Sequence, residues 1–213
     1  MAIYDISLPI NPNLASWPGD APFRLSWTTQ IVNGASVNLG ELCMSIHTGT
    51  HVDSPLHFDD AGQGMAGVSL MQYVGMARVV DVTSIQSIGI EDIEQRLGAE
   101  AGELAGTPRL LLKTGGWPDY TRFPESIPVL KEGVPEWLHE KGITLLGLDV
   151  PSVDDLESKE LPIHNALNRL GIAILESLDL KNIAQGVYEL IALPLRIDGA
   201  DGSPVRAILR DTK

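Results

Sequence analysis

Ile46-His47-Thr48-Gly49-Thr50-His51-Val52-Asp53-Ser54-Pro55-Leu56-His57-Phe58 holds three of the five histidines in a chain of 213 residues. His47, His51, Asp53 and His57 fall within eleven positions, a dense set of metal-ligating side chains. Neutral imidazole with carboxylate suits zinc, manganese or iron(II) better than calcium, which prefers oxygen alone. The step from His47 to His51 would put both rings on one face of a helix. Gly49, Pro55 and the β-branched Thr48, Thr50 and Val52 argue instead for an extended or looped backbone. In an extended segment residues 47, 51, 53 and 57 share one side, although Gly49 and Pro55 bend it. A metal site is the expectation, against the alternative of polar residues scattered on a surface loop.

Upstream, residues 23–31 and 37–46 read as two strands joined across Asn33-Gly34, the second delivering the histidine segment. Cys43, the only cysteine, sits in the apolar run Leu42-Cys43-Met44 and is expected to be a buried structural thiol. Residues 3–8 alternate as a half-buried strand ending at Pro9. Trp17-Pro18-Gly19-Asp20 is a rigid turn whose tryptophan either caps the core or walls a pocket.

Downstream, residues 76–82, 109–113, 143–150 and 173–178 read as buried strands, and residues 69–74, 90–97, 134–141 and 162–170 as helices. His139 reads as a solvated helix residue, and His164 falls in the first turn of the last helix. Glu176 lies in an apolar strand, where it must face solvent or find a cation. Two final strands, 188–197 and 203–209, flank the loop Asp198-Gly199-Ala200-Asp201-Gly202. The Gly115-Gly116-Trp117 loop carries an aromatic of unassigned role. The pattern implies one mixed α/β, strand-rich domain over residues 1–213, its sheet substantial and barrel-like.

A net charge of −13 with no Lys/Arg cluster excludes a phosphate-backbone partner, so no nucleic acid is expected. No apolar run reaches the roughly 18 residues of a membrane span, and the N-terminus has no signal-peptide pattern. A cytoplasmic enzyme is the expectation. The chain has no Gly-Xaa-Ser-Xaa-Gly elbow, Walker loop or dinucleotide fingerprint. Metal-assisted hydrolysis remains, with His57 released from the ligand set as a candidate general acid–base.

His47-Thr-Gly-Thr-His51-Val-Asp53-Ser-Pro-Leu-His57 resembles the signature of the cyclase-like metal-dependent hydrolases. Trp17-Pro18-Gly19-Asp20, Gly147-Leu-Asp149-Val-Pro151-Ser152-Val-Asp154 with Lys159 and His164, Ala173-Ile-Leu-Glu176, residues 188–195 and Asp201-Gly-Ser-Pro-Val-Arg206-Ala resemble its bacterial kynurenine formamidase (arylformamidase) branch. These blocks lie in the family's order over nearly the whole chain. The resemblance implies a swivelling β/β/α fold and two Zn2+ per subunit, with Mn2+ as an alternative. His47, His51 and Asp53 would hold the first metal; Asp53, His164 and Glu176 would hold the second. It implies His57 as the catalytic proton donor and acceptor, Trp17 as a substrate wall, and a homodimer. The implied reaction is hydrolysis of N-formyl-L-kynurenine to L-kynurenine and formate. An isatin-hydrolase-like amide hydrolase using manganese and a non-catalytic metal-binding protein are the alternatives.

Overall fold

The apolar runs Val79-Val80, Leu110-Leu111-Leu112, Leu145-Leu146 and Ile174-Leu175 are buried on both sides, as strands of a covered parallel sheet must be. They lie on β5 (Val74–Asp81), β7 (Arg109–Lys113), β9 (Leu145–Leu148) and β10 (Ala173–Glu176), paired parallel in that order. The computed structural model describes residues 1–98, 104 and 106–212. Around the parallel centre, β1 (Ile3–Asp5), β13 (Ile208–Asp211) and β11 (Gly186–Ile191) extend one side. β4 (His51–Asp53) and β12 (Gly202–Pro204) extend the other. The resulting nine-stranded order is β1-β13-β11-β5-β7-β9-β10-β4-β12.

Alternate residues along these strands feed two cores. Val80, Leu110, Leu112, Leu146, Leu148 and Ile174 face one, together with α1 (Ile90–Leu97), α2 (Val134–Glu140) and α3 (Pro162–Arg169). Ile93, Leu97, Val134, Trp137, Leu138, Ile163 and Leu167 are the apolar stripes of those helices. Val79, Leu111, Leu145 and Leu175 face the second core, with Ile6, Tyr73, Leu178, Leu190 and Leu209. Gly147 faces Leu111 and Leu178; a Cβ there would lie 2.5 Å from Leu111 Cδ2, so only glycine fits.

The sheet curls without closing. β12 and β13 lie near opposite ends of the strand order, yet only residues 205–207 separate them. The four steps from Pro204 to Ile208 span at most about 14 Å, whereas seven strand spacings on a flat sheet would need about 34 Å. Curvature is therefore obligatory. The curl is the barrel-like sheet expected from the sequence, and among the described residues β1 and β12 end the order without pairing. The single strand expected over residues 203–209 is two strands, β12 pairing with β4 and β13 with β11 and β1. The helix expected over 69–74 is one 3-10 turn, Leu70–Gln72, after which β5 begins.

β2 (Arg24–Thr29) and β3 (Leu39–Cys43) form the expected antiparallel hairpin, with Gly34 left-handed between them. Every residue of both strands is exposed, because the hairpin packs on neither core. The buried thiol expected at Cys43 is thus an exposed one. Among the described residues no helix is long and apolar enough to cross a membrane. Two further short strands, β6 (Ser87–Ile88) and β8 (Val129–Leu130), pair parallel beside α1.

Candidate metal centre and active-site cavity

Strand pairing builds the centre. On β4, His51 and Asp53 are two apart and both buried, as the odd-number argument anticipates. β10 runs antiparallel to β4 and sets Glu176 opposite His51; β12 sets Gly202 opposite Asp53. His47 arrives from the bend before β4, and His164 from the first turn of α3. His47 Nδ1 lies 3.1 Å from Asp53 Oδ1, and His51 Nε2 lies 3.6 Å from that oxygen and 3.4 Å from Glu176 Oε2. His164 Nε2 lies 3.8 Å from Asp53 Oδ2 and 3.5 Å from Glu176 Oε1. All five residues expected as ligands therefore converge.

Several ring orientations are fixed from outside the centre. His51 Nδ1 meets the Gly49 carbonyl at 2.8 Å, which leaves Nε2 to face inward. Asp154 accepts the Ile163 and His164 backbone N–H groups, each at 3.0 Å, and meets His164 Nδ1 at 2.7 Å. One carboxylate thus caps α3 and aims His164, the arrangement that steadies histidine ligands. Glu176 Oε1 accepts the Val153 N–H at 3.0 Å. Sequence reasoning gave Asp154 no role, since acidic residues in a loop ordinarily face solvent.

The charge balance favours a cation. Both oxygens of Asp53 are buried and accept no hydrogen bond, an arrangement that is costly for a carboxylate without a metal. Burial raises the Asp53 pKa, but the imidazoles of His47, His51 and His57 outweigh it and hold the group ionised. Burial lowers the pKa of His47, yet Asp53 and Asp201 carry it up to about 9. Burial likewise opposes protonation of His164, but Asp154, Glu176 and Asp53 carry it up to about 10. The carboxylates draw positive charge into the centre, as protons on imidazole or as a divalent ion. Two sets, His51-Asp53-Glu176 and His47-Asp53-His57, hold their ligand atoms within 4.8 Å of one another. This donor set fits a metal site.

The centre floors a cavity of about 800 Å³ walled by Trp17, Trp117 and Phe123. Trp17 lines this cavity and meets Phe123 edge-on at 5.0 Å. Trp117 is buried, its Nε1 donating to the Asp119 and Arg122 carbonyls at 3.1 and 2.8 Å. Its loop hangs from Asp149, which accepts the Thr114 N–H, the Thr114 hydroxyl and the Gly115 N–H at 2.9, 2.5 and 2.9 Å. His57 lines the cavity with its ring 4.1 Å from that of His47. His139 is exposed on α2 and takes no part.

The Cyclase family model matches residues 4–155, most of the chain and the whole histidine segment. The chain belongs to the Cyclase family. Among its relatives, the kynurenine formamidase of Bacillus cereus (strain ATCC 14579) is 49% identical over 208 residues, covering 97% of this chain and 96% of the relative. That of Bacillus anthracis is 47% identical over 206 residues, with the same coverage. A solved structure described as a potential metal-dependent hydrolase with cyclase activity is 27% identical, with a TM-score of 0.79 over 98% of this chain and 96% of that one. Isatin hydrolase A from Ralstonia solanacearum shares the fold, with a TM-score of 0.82 at 21% identity over 98% of this chain and 91% of that one. This Cyclase-family chain is therefore a mixed α/β hydrolase with a centre suited to metal.

Proposed function

We propose that the protein hydrolyses N-formyl-L-kynurenine to L-kynurenine and formate. The observation that carries this is Asp53, buried without a hydrogen-bond donor of good geometry among His47, His51, His164 and Glu176, the four side chains that line the floor of an aromatic-walled cavity. Close identity to kynurenine formamidases over nearly the full chain supports the same substrate. The whole of residues 1–213 would act as one catalytic domain.

His47, His51 and Asp53 would hold one metal, and Asp53, His164 and Glu176 a second, with zinc the best match to these N/O donors and manganese the alternative. Bound there, the metal supplies Lewis acidity and a water acidic enough to react at neutral pH. The chain supplies the rest. Trp17 and Phe123 present an edge-and-face aromatic surface to the aryl ring. His57 takes a proton from the attacking water and returns it to the aniline nitrogen as the C–N bond breaks, because an anilide anion is a poor leaving group. His57→Ala is expected to keep its metal and lose about 10²- to 10⁴-fold in kcat.

The test is formylkynurenine hydrolysis by purified protein, after chelation and after zinc re-addition. Turnover that disappears with chelation and returns with zinc supports the reading; metal-loaded protein inert to the formamide defeats it. A second reading, opening of the cyclic amide isatin, draws on the fold shared with isatin hydrolase A, and faster turnover of isatin would select it. We also propose a homodimer, supported by the hairpin: Leu25, Trp27 and Leu42 share one side of it and are all more than half exposed, an apolar face suited to a second copy. The single unpaired cysteine suits a reducing cytoplasm.

A further inference from the structure

Asp201 touches two histidines with one oxygen. Its Oδ2 lies 3.1 Å from His57 Nδ1 and 3.1 Å from His47 Nε2. A carboxylate oxygen only accepts, so each of these ring nitrogens carries a proton where the hydrogen bond is made. In a neutral ring that fixes the tautomer. His47 presents Nδ1 toward Asp53, and His57 is left with Nε2 for proton transfer.

The placement of Asp201 follows from the sheet. Its carbonyl accepts the Ser54 N–H at 2.9 Å, next to Asp53, and Gly202 follows as the first residue of β12, paired with Asp53. The strand register that sets the metal centre therefore also sets the carboxylate. The two rings it joins lie 4.1 Å apart at 33°.

We propose that Asp201 is a positioning residue for the proton-transfer step: it holds His57 as the Nδ1–H tautomer and steadies the imidazolium formed in turnover. This rests on the formamide-hydrolysis reading. His57 Nε2 takes a proton from water as the oxygen bonds to the formyl carbon. The C–N bond then breaks, its electron pair goes to nitrogen, and the Nε2 proton follows. The products are the amine and formic acid, which ionises. Between these steps His57 carries two protons, and the facing carboxylate stabilises that charge.

Three substrates separate this role from its rivals. N-Formylkynurenine and formanilide both have leaving groups that need a proton; 4-nitrophenyl formate releases a stable phenolate that does not. Asp201→Ala, loaded with zinc, is expected to lose about 30-fold or more in kcat on both formamides, with KM within about threefold, and to lose clearly less on the ester, which needs His57 to take the proton from water but not to return it. Asp201→Asn keeps an acceptor oxygen and is expected to recover part of the loss. Histidine ¹⁵N spectra of the zinc-loaded protein should assign the Nδ1–H form to His57 in the wild type and not in Asp201→Ala.

Equal losses on ester and formamides, or loss of bound zinc, would overturn the proposal in favour of a structural role through His47. A loss confined to formylkynurenine would overturn it in favour of an ammonium anchor, since formanilide lacks that group. Failure of wild-type protein on both formamides would instead defeat the underlying reading, which keeps the two failures apart.

Discussion

Gly202→Ala would press a single methyl group against His47. An ideal Cβ at residue 202 lies 2.7 Å from His47 Cε1, 3.0 Å from its Nε2 and 3.1 Å from the Val52 carbonyl oxygen. Ordinary contact begins at 3.4 Å, so the ring must retreat by about 0.7 Å. It has little room, with Nδ1 3.1 Å from Asp53, Nε2 3.1 Å from Asp201, and the His51 and His57 rings at 4.9 and 4.1 Å. Because β12 is pinned to β4, the side chain must yield more than the backbone. Overpacking costs about 1–3 kcal/mol, offset by about 0.4–1 kcal/mol from the reduced freedom of the unfolded chain. The fold survives. A ligand displaced by this much should weaken metal binding by about 10- to 100-fold. Competition against a chelator measures the affinity, and kcat at saturating zinc measures the remaining misplacement. If affinity and kcat both stayed within about threefold of wild type, His47 would not be a ligand held by this contact.

Asp154→Ala removes the cap of α3 and the support of His164 together. Its expected signature is about 1 kcal/mol lost in denaturant unfolding of metal-free protein and about 10- to 100-fold weaker metal affinity by chelator competition. Asp149→Ala strands three donors of the Trp117 loop at about 1 kcal/mol or more each; thermal scans should show Tm lower by about 6–12 °C, and kinetics a raised KM. In metal-free protein, His47 and His164 have folded pKa values of about 9 and about 10, above the ordinary 6.5. Raised values mean that their protonated forms stabilise the fold: the contribution is full below about pH 6.5 and is lost as pH climbs through 9 to 10. Tm of the metal-free protein should therefore fall between pH 7 and 10. Calorimetric titration of zinc near pH 7.5, in buffers of different ionisation enthalpy, should show about two protons released per protein; no release would contradict the protonated centre.

How much of this was legible depends on sequence separation. His47, His51, Asp53 and His57 announce themselves by density, and the parity argument holds for the pair on β4. His164 and Glu176 were reachable only through resemblance, because nothing local says that β10 lies beside β4. Asp201 lies in a Gly- and Asp-rich loop whose composition reads as solvent-facing, and Phe123 in a Pro-containing stretch without pattern. A signal was present for Asp201: it opens the block Asp201-Gly-Ser-Pro-Val-Arg206-Ala that resembles the family. Cys43 was misjudged because an apolar run normally means core, and no periodicity reveals a hairpin that projects from the body. Residues 203–209 read as one strand because β propensity is blind to a chain crossing from one end of a curled sheet to the other.

The position of β4 between β10 and β12 also bears on how the chain is made. A ribosome delivers His47, His51 and Asp53 early, but both strands that flank them are encoded far downstream. Until Glu176 and then Asp201 emerge, the first ligands sit on a strand with both edges open, exposed to association with other chains. They can meet ions in that interval, but not in the final geometry. If the proposed ligands hold a metal, selection among ions would be deferred to a nearly finished molecule, where cavity shape rather than first encounter decides which ion stays. Chains cut short before β12 would carry much of the donor set without the means to choose.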